Sequence, residues 1–142
     1  MDPKTEKRMA KMVDAVQPHC DDQIIAAMTC SHAGSMSSFL ASKLAGGIGG
    51  MAKTSELPNP VFIAVGANTI YAFKYKPRGF GYKIKNEVAR WPRSEISVES
   101  DRSATMCQFV ITTGSGESYS LEVVTVMGGK ELVDVFLQAL GG

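Results

Sequence analysis

The chain is short of the residue types on which most active sites depend. Its 142 residues include 2 histidines, 3 cysteines and 1 tryptophan. His19 and His32 have no activated nucleophile beside them in sequence, so no acid–base or nucleophilic constellation is legible and no enzymatic activity is expected. Cys20, Cys30 and Cys107 are odd in number and irregularly spaced. That argues against a disulfide scaffold and for a reducing compartment, which makes a cytoplasmic location the expectation. His19-Cys20 and Cys30-Ser31-His32 carry metal-binding residue types, but a strand over residues 21–30, rising about 3.3 Å per residue, would hold them roughly 30 Å apart. Ligand bonds are only ~2–2.3 Å long, so neither a metal nor a cofactor is expected. Long apolar runs are also missing. Leu44–Ala52 gives nine residues before Lys53, against roughly 20 for a membrane-spanning helix, so no transmembrane segment is expected. The charged start, Met-Asp-Pro-Lys-Thr-Glu-Lys-Arg, leads into no apolar stretch and does not read as a secretory signal.

What is present suits a mainly β protein with some α, an α+β fold in one domain over 1–142, long enough to bury a core. Asp2 followed by Pro3 is a helix start, and Met9, Met12, Val13 and Val16 recur at helical spacing up to Pro18, predicting a helix within 1–18. Lys4, Lys7, Arg8 and Lys11 lie elsewhere on that helix surface. Ile24–Cys30 reads as a strand. Residues 31–60 read as a helical, glycine-rich insert: a short helix over Ser35–Leu44, then Gly46-Gly47-Ile48-Gly49-Gly50, then an extended Leu57–Pro60. The glycine run lacks the Gly-Lys-Ser/Thr ending of a phosphate loop and reads as a hinge or a close-packing segment.

From Val61 the period changes to two. Val61–Val65 and Thr69–Lys76 are predicted strands, the second with Tyr71, Phe73 and Tyr75 on one face and Lys74 and Lys76 on the other. Pro77–Gly81 reads as a loop before the chain returns through Tyr82, Lys83, Ile84 and Lys85. Cys107, Phe109 and Ile111 alternate in a further strand, and Thr113–Gly116 is a hairpin turn. Tyr119, Leu121 and Val123 alternate after it. Leu132, Val135, Phe136, Ala139 and Leu140 then form the stripe of an amphipathic closing helix.

This order resembles the bacterial PH-like and GRAM-like families. The likeness is carried by the strand and small-polar turn of Val61–Asn68, the aromatic and lysine-rich Ile70–Lys76, Trp91-Pro92-Arg93-Ser94-Glu95-Ile96-Ser97-Val98, Phe109–Gly114 and the last helix, Lys130–Leu140. It covers roughly 61–140, with 20–30 as the first strand. The resemblance implies a bent antiparallel barrel of about seven strands capped by a C-terminal helix, serving as a lipid- or protein-binding scaffold without catalysis. The phosphoinositide motif of lipid-binding PH domains lies between the first two strands. Here that connection is the glycine-rich insert, whose only basic residues are Lys43 and Lys53, so the usual headgroup site is expected to be missing.

Charge is unevenly spread. The total is +1, yet residues 71–93 hold seven basic residues against Glu87, while residues 94–142 hold two against seven acidic ones. Lys74, Lys76, Lys83 and Lys85, with Arg78, are candidates for binding an acidic lipid surface or another polyanion. The plainer reading makes them the solvent face of a half-buried sheet, partly neutralised by Glu95 and Glu99. Phe80, between Gly79 and Gly81, either tucks under the sheet or projects as an anchor, and tucking is the expectation. Met36, Phe39, Leu40, Ile48 and Met51 in the insert are candidates for a surface binding a protein partner or a second copy. That partner surface leads as the expected function, with anion binding by the hairpin as the alternative. Nucleic-acid binding is not expected, because Tyr71, Phe73 and Tyr75 are read as facing the core instead of offering a stacking platform.

Overall fold

The computed structural model describes residues 2–33, 56–125 and 129–141. Helix α1 spans Pro3–Val16, with Asp2 as its N-cap. The Asp2 carboxylate accepts from the Thr5 amide at 2.9 Å, satisfying one of the amides that a first helical turn leaves open. Thr5, Met9, Met12 and Val16 are its buried stripe. A 3-10 turn at Gln17–His19 follows, and the strands come next.

Among the described residues, seven strands form one antiparallel sheet: β1 (Ile24–His32), β2 (Val61–Gly66), β3 (Thr69–Arg78), β4 (Gly81–Pro92), β5 (Ser97–Arg102), β6 (Met106–Thr112) and β7 (Ser118–Val124). Their spatial order is β4-β3-β2-β1-β7-β6-β5. The first strand joins the two halves: its residues 24–30 pair with β2, and Ser31 and His32 pair with Glu122 and Leu121 of β7. Helix α2, Gly129–Leu140, closes the chain. Seven antiparallel strands with a helix at each end give a mainly β fold with some α, consistent with the PH-like arrangement implied by the sequence.

The core is continuous across these elements. Phe62, Ile70, Tyr71, Phe73, Phe109, Leu121 and Phe136 are among its fully buried side chains, with the Phe109 and Phe136 rings edge to face at 5.9 Å. In α2 the buried positions are Gly129, Leu132, Val133, Phe136, Leu137 and Leu140. Val135 and Ala139, expected in the stripe, are only partly buried. The helix is rolled toward Val133 and Leu137 because it leans on β1, β2 and α1 together.

Three local expectations change. The predicted loop at Pro77–Gly81 is strand up to Arg78, and the turn is Gly79-Phe80 alone. Gly79 there has φ +60, a left-handed conformation that glycine adopts without a Cβ penalty. Glu99 lies on β5, at the opposite end of the strand order from β4, so strand pairing does not bring it beside the lysines. The extended lead-in over residues 57–60 is instead bent, with half-buried His32 donating from Nε2 to the Leu57 carbonyl at 2.8 Å.

Candidate functional site

The β3–β4 hairpin is regular at its tip and irregular lower down. Lys76 pairs directly with Lys83, Pro77 with Tyr82 and Arg78 with Gly81, while register shifts fall between Ala72 and Tyr75. Cross-strand partners place their side chains on the same face, so Lys76 and Lys83 stand side by side. Lys74 and Lys85 follow two residues further down, on the face that alternation assigns to Lys76 and Lys83. All four, and Arg78, are exposed. Two like charges directly opposite repel, and an anion that screens both is attracted.

Phe80 corrects its expectation. It is 95% exposed at the turn, not tucked under the sheet. A two-residue turn gives the ring no length of chain with which to fold back. Lys11 of α1 reaches it, with Nζ 5.8 Å from the ring centroid, close enough for a cation–π attraction. The exposed α1 residues Lys4, Lys7 and Arg8 lie toward the same side of the helix as Lys11. The sequence places these four away from the apolar stripe of the helix, but nothing local says which helix face meets a hairpin about 70 residues away.

The remaining basic residues of the segment are structural. Arg90 forms a two-pronged contact with Glu87, both bonds at 2.8 Å. It also reaches Asp21 at 3.4 Å and lies over the Tyr71 ring at 5.1 Å. Its pKa is raised, first by the hydrogen bonds it donates to Glu87. The Tyr71 hydroxyl donates to Asp21 at 2.5 Å. That bond leads the causes lowering the Asp21 carboxyl below its usual range, with Arg90 assisting. Burial, then the Asp21 bond, pushes the Tyr71 phenol up to about 12. Arg93 donates from Nε to the Ala139 carbonyl at 2.9 Å and from Nη1 to the Ala67 carbonyl at 3.3 Å, tying the end of α2 to the β2–β3 turn. Asp22 holds that turn too, accepting from the amides of Asn68 at 2.7 Å and Thr69 at 3.1 Å.

The cysteines carry no sign of a reactive thiol. Cys30 and Cys107 are buried and free, and Cys20 is half-buried and free. Burial raises the pKa of each thiol, to about 11 at Cys20, so none is primed as a thiolate. The exposed His19 ring sits against Phe73, centroids 6.2 Å apart. Met36, Phe39, Leu40, Ile48, Met51 and the short helix expected at Ser35–Leu44 lie outside the described residues. Among the described residues, no helix is long and apolar enough to cross a membrane.

No family model matches the chain, and no curated protein does. A solved structure of Vav1, inhibited by an allosteric inhibitor, is similar with a TM-score of 0.48 and 13% identity, over 96% of this chain and 34% of that one. This chain thus spans about a third of the Vav1 chain. A likeness so distant carries no argument about activity, substrate or partner.

Proposed function

We infer that the protein is a non-catalytic binding module of the PH-like and GRAM-like kind that docks on an acidic membrane surface through the tip of the β3–β4 hairpin. One observation carries the reading: an exposed phenylalanine stands at the turn while exposed Lys76, Arg78 and Lys83 surround it. An apolar ring inside a basic collar suits a bilayer interface, where the ring leaves water and the cations stay at the level of the headgroups. Each basic residue near an acidic leaflet is worth about 1 kcal/mol, and inserting a phenylalanine adds up to about 1.5–3 kcal/mol. Because the ring projects, docking needs no rearrangement of the core. The buried placement of Tyr71 and Phe73 favours this reading over nucleic-acid stacking. Three free thiols, two of them buried, suit a cytoplasmic leaflet, where acidic lipids are concentrated.

Co-sedimentation with vesicles tests the proposal. Binding is expected to acidic phosphatidylserine vesicles and not to neutral ones, and to weaken steeply between low and high salt as exposed charges are screened. Equal binding to both kinds of vesicle, or indifference to salt, overturns it.

A further inference from the structure

The first and last strands meet only at their ends. Ser31 and His32 pair with Glu122 and Leu121, and the Ala33 amide donates to the Ser120 carbonyl at 3.0 Å. In the other direction the strands part: β1 follows β2, while Val123 and Val124 follow β6. A cavity of about 420 Å³ opens in the wedge, within the ~300–1,000 Å³ range of small-molecule sites.

Its two ends differ in chemistry. The floor is Met12 of α1, Met28 of β1, Val123 of β7 and Leu132 and Val133 of α2, all buried side chains of the core. The mouth carries Arg8, Lys11, Thr29, Ser31 and Tyr82, with Phe80 at its edge. Val124, at 58% exposure, adds a second apolar residue to the rim. Arg8 and Lys11 share the lining with one carboxylate, Glu122, among the described residues, and the basic hairpin tip stands beside them. Apolar walls give water few partners and favour hydrocarbon. A cationic rim with two aliphatic hydroxyls favours an anionic head.

We propose that this wedge binds a single-chain amphiphile with an anionic head, its hydrocarbon against Met12, Met28 and Val123 and its head at Lys11. The site goes beyond the docking surface and shares only Phe80 with it. The ligand can arrive from solution as a free fatty-acid-like molecule or be drawn from a membrane, and both sources present the same chemistry.

Methyl-labelled methionine NMR of the whole chain tests it, with decanoate, decyl phosphate, decanol and inorganic phosphate as probes below their micelle concentrations. Saturable shifts of the Met12 and Met28 methyls are expected with decanoate and decyl phosphate, Met106 serving as the reference. Inorganic phosphate should leave those methyls unmoved, and decanol should bind at least fivefold more weakly than decanoate. Lys11→Glu, a change at an exposed helix position, should weaken decanoate about tenfold and leave decanol unchanged. Replacing Lys76 and Lys83 with glutamine should leave decanoate binding intact even where vesicle docking falls, so the two readings fail separately. Met12 and Met28 methyls unmoved by decanoate would overturn the site. Equal binding of decanol and decanoate by both the unaltered protein and Lys11→Glu would overturn recognition of the head. Response to acidic vesicles but not to monomeric decanoate would restrict the protein to surface docking and sink the proposal.

Discussion

The two ends of the β3–β4 hairpin are built from the same pair of strands and have opposite characters. At the base, Ile70, Tyr71, Ala72, Phe73 and Trp91 are buried, and Arg90 is held by Glu87 and Asp21. Toward the tip, Lys74, Lys76, Arg78, Phe80, Lys83 and Lys85 are exposed, with Ile84 the buried member of that stretch. The register shifts between Ala72 and Tyr75 mark the boundary. Above them the ladder is regular and its outward face is all cation. Below them, Thr69–Ala72 pair in register with Ala89–Pro92, and the shifts between the two stretches change which side chains face the core, a known effect of bulges. Stability therefore resides in the base and attraction for anions in the tip, and substitutions at one end should leave the other's property alone.

The largest expected effect is at the base. Phe73→Ala deletes a fully buried ring and should cost about 3–5 kcal/mol of unfolding free energy, read from a urea titration. A loss below about 1 kcal/mol would mean that the base is not where stability lies. Next comes the tip. Replacing Lys76 and Lys83 together with glutamine should reduce affinity for acidic vesicles by about 2 kcal/mol, or about 30-fold. Stability should stay within about 0.5 kcal/mol, since neither lysine is packed. Loss of fold in this variant would erase the distinction between the two ends.

Smaller effects sharpen the boundary. Tyr71→Phe removes the hydroxyl bonded to Asp21 and should cost at most about 1 kcal/mol, because the exposed carboxylate regains water. Vesicle binding should not change. The pH dependence of the same contact is smaller still. The Asp21 pKa is lower in the folded protein, so its contribution is complete above the unfolded carboxyl value near ~3.9 and is lost as pH falls through the lower folded value. The Tyr71 phenol is raised to about 12. Its contribution is complete below the unfolded value of about 10 and is lost between there and about 12. Urea midpoints across pH should show a shallower acid slope for Asp21→Asn than for the unaltered protein, and an unchanged slope would deny Asp21 this role.

Both helices and most of the strands were legible because their signals are local, whereas the second half of β4, to Pro92, was not. Asp2-Pro3 places a capping carboxylate before a residue that fits the first helical position, and Val61 onward alternates at the period of a strand. Lys76 and Lys83 were legible as neighbours for the same reason, since alternation and a short return fix their faces. The direction of Phe80 was not, because it depends on whether the connection is a five-residue loop or the two-residue turn that forms. The Asp21–Tyr71 contact joins residues 50 apart in sequence. The wedge between β1 and β7 lies between strands whose paired residues Ser31 and Glu122 are 91 positions apart, and no periodicity records where two distant strands cease to pair. The placement of Lys11 over Phe80 was hidden likewise, as it follows from how α1 lies across β1 and β4.

The insertion of the hairpin tip can be observed directly. Phe80→Trp places an indole at the turn, while the native Trp91 stays buried as a constant background. On acidic vesicles the added emission should shift to the blue and be quenched by brominated acyl chains, with neither change on neutral vesicles. Binding to acidic vesicles with an indole that remains water-like and unquenched would contradict the account, as would no binding at all.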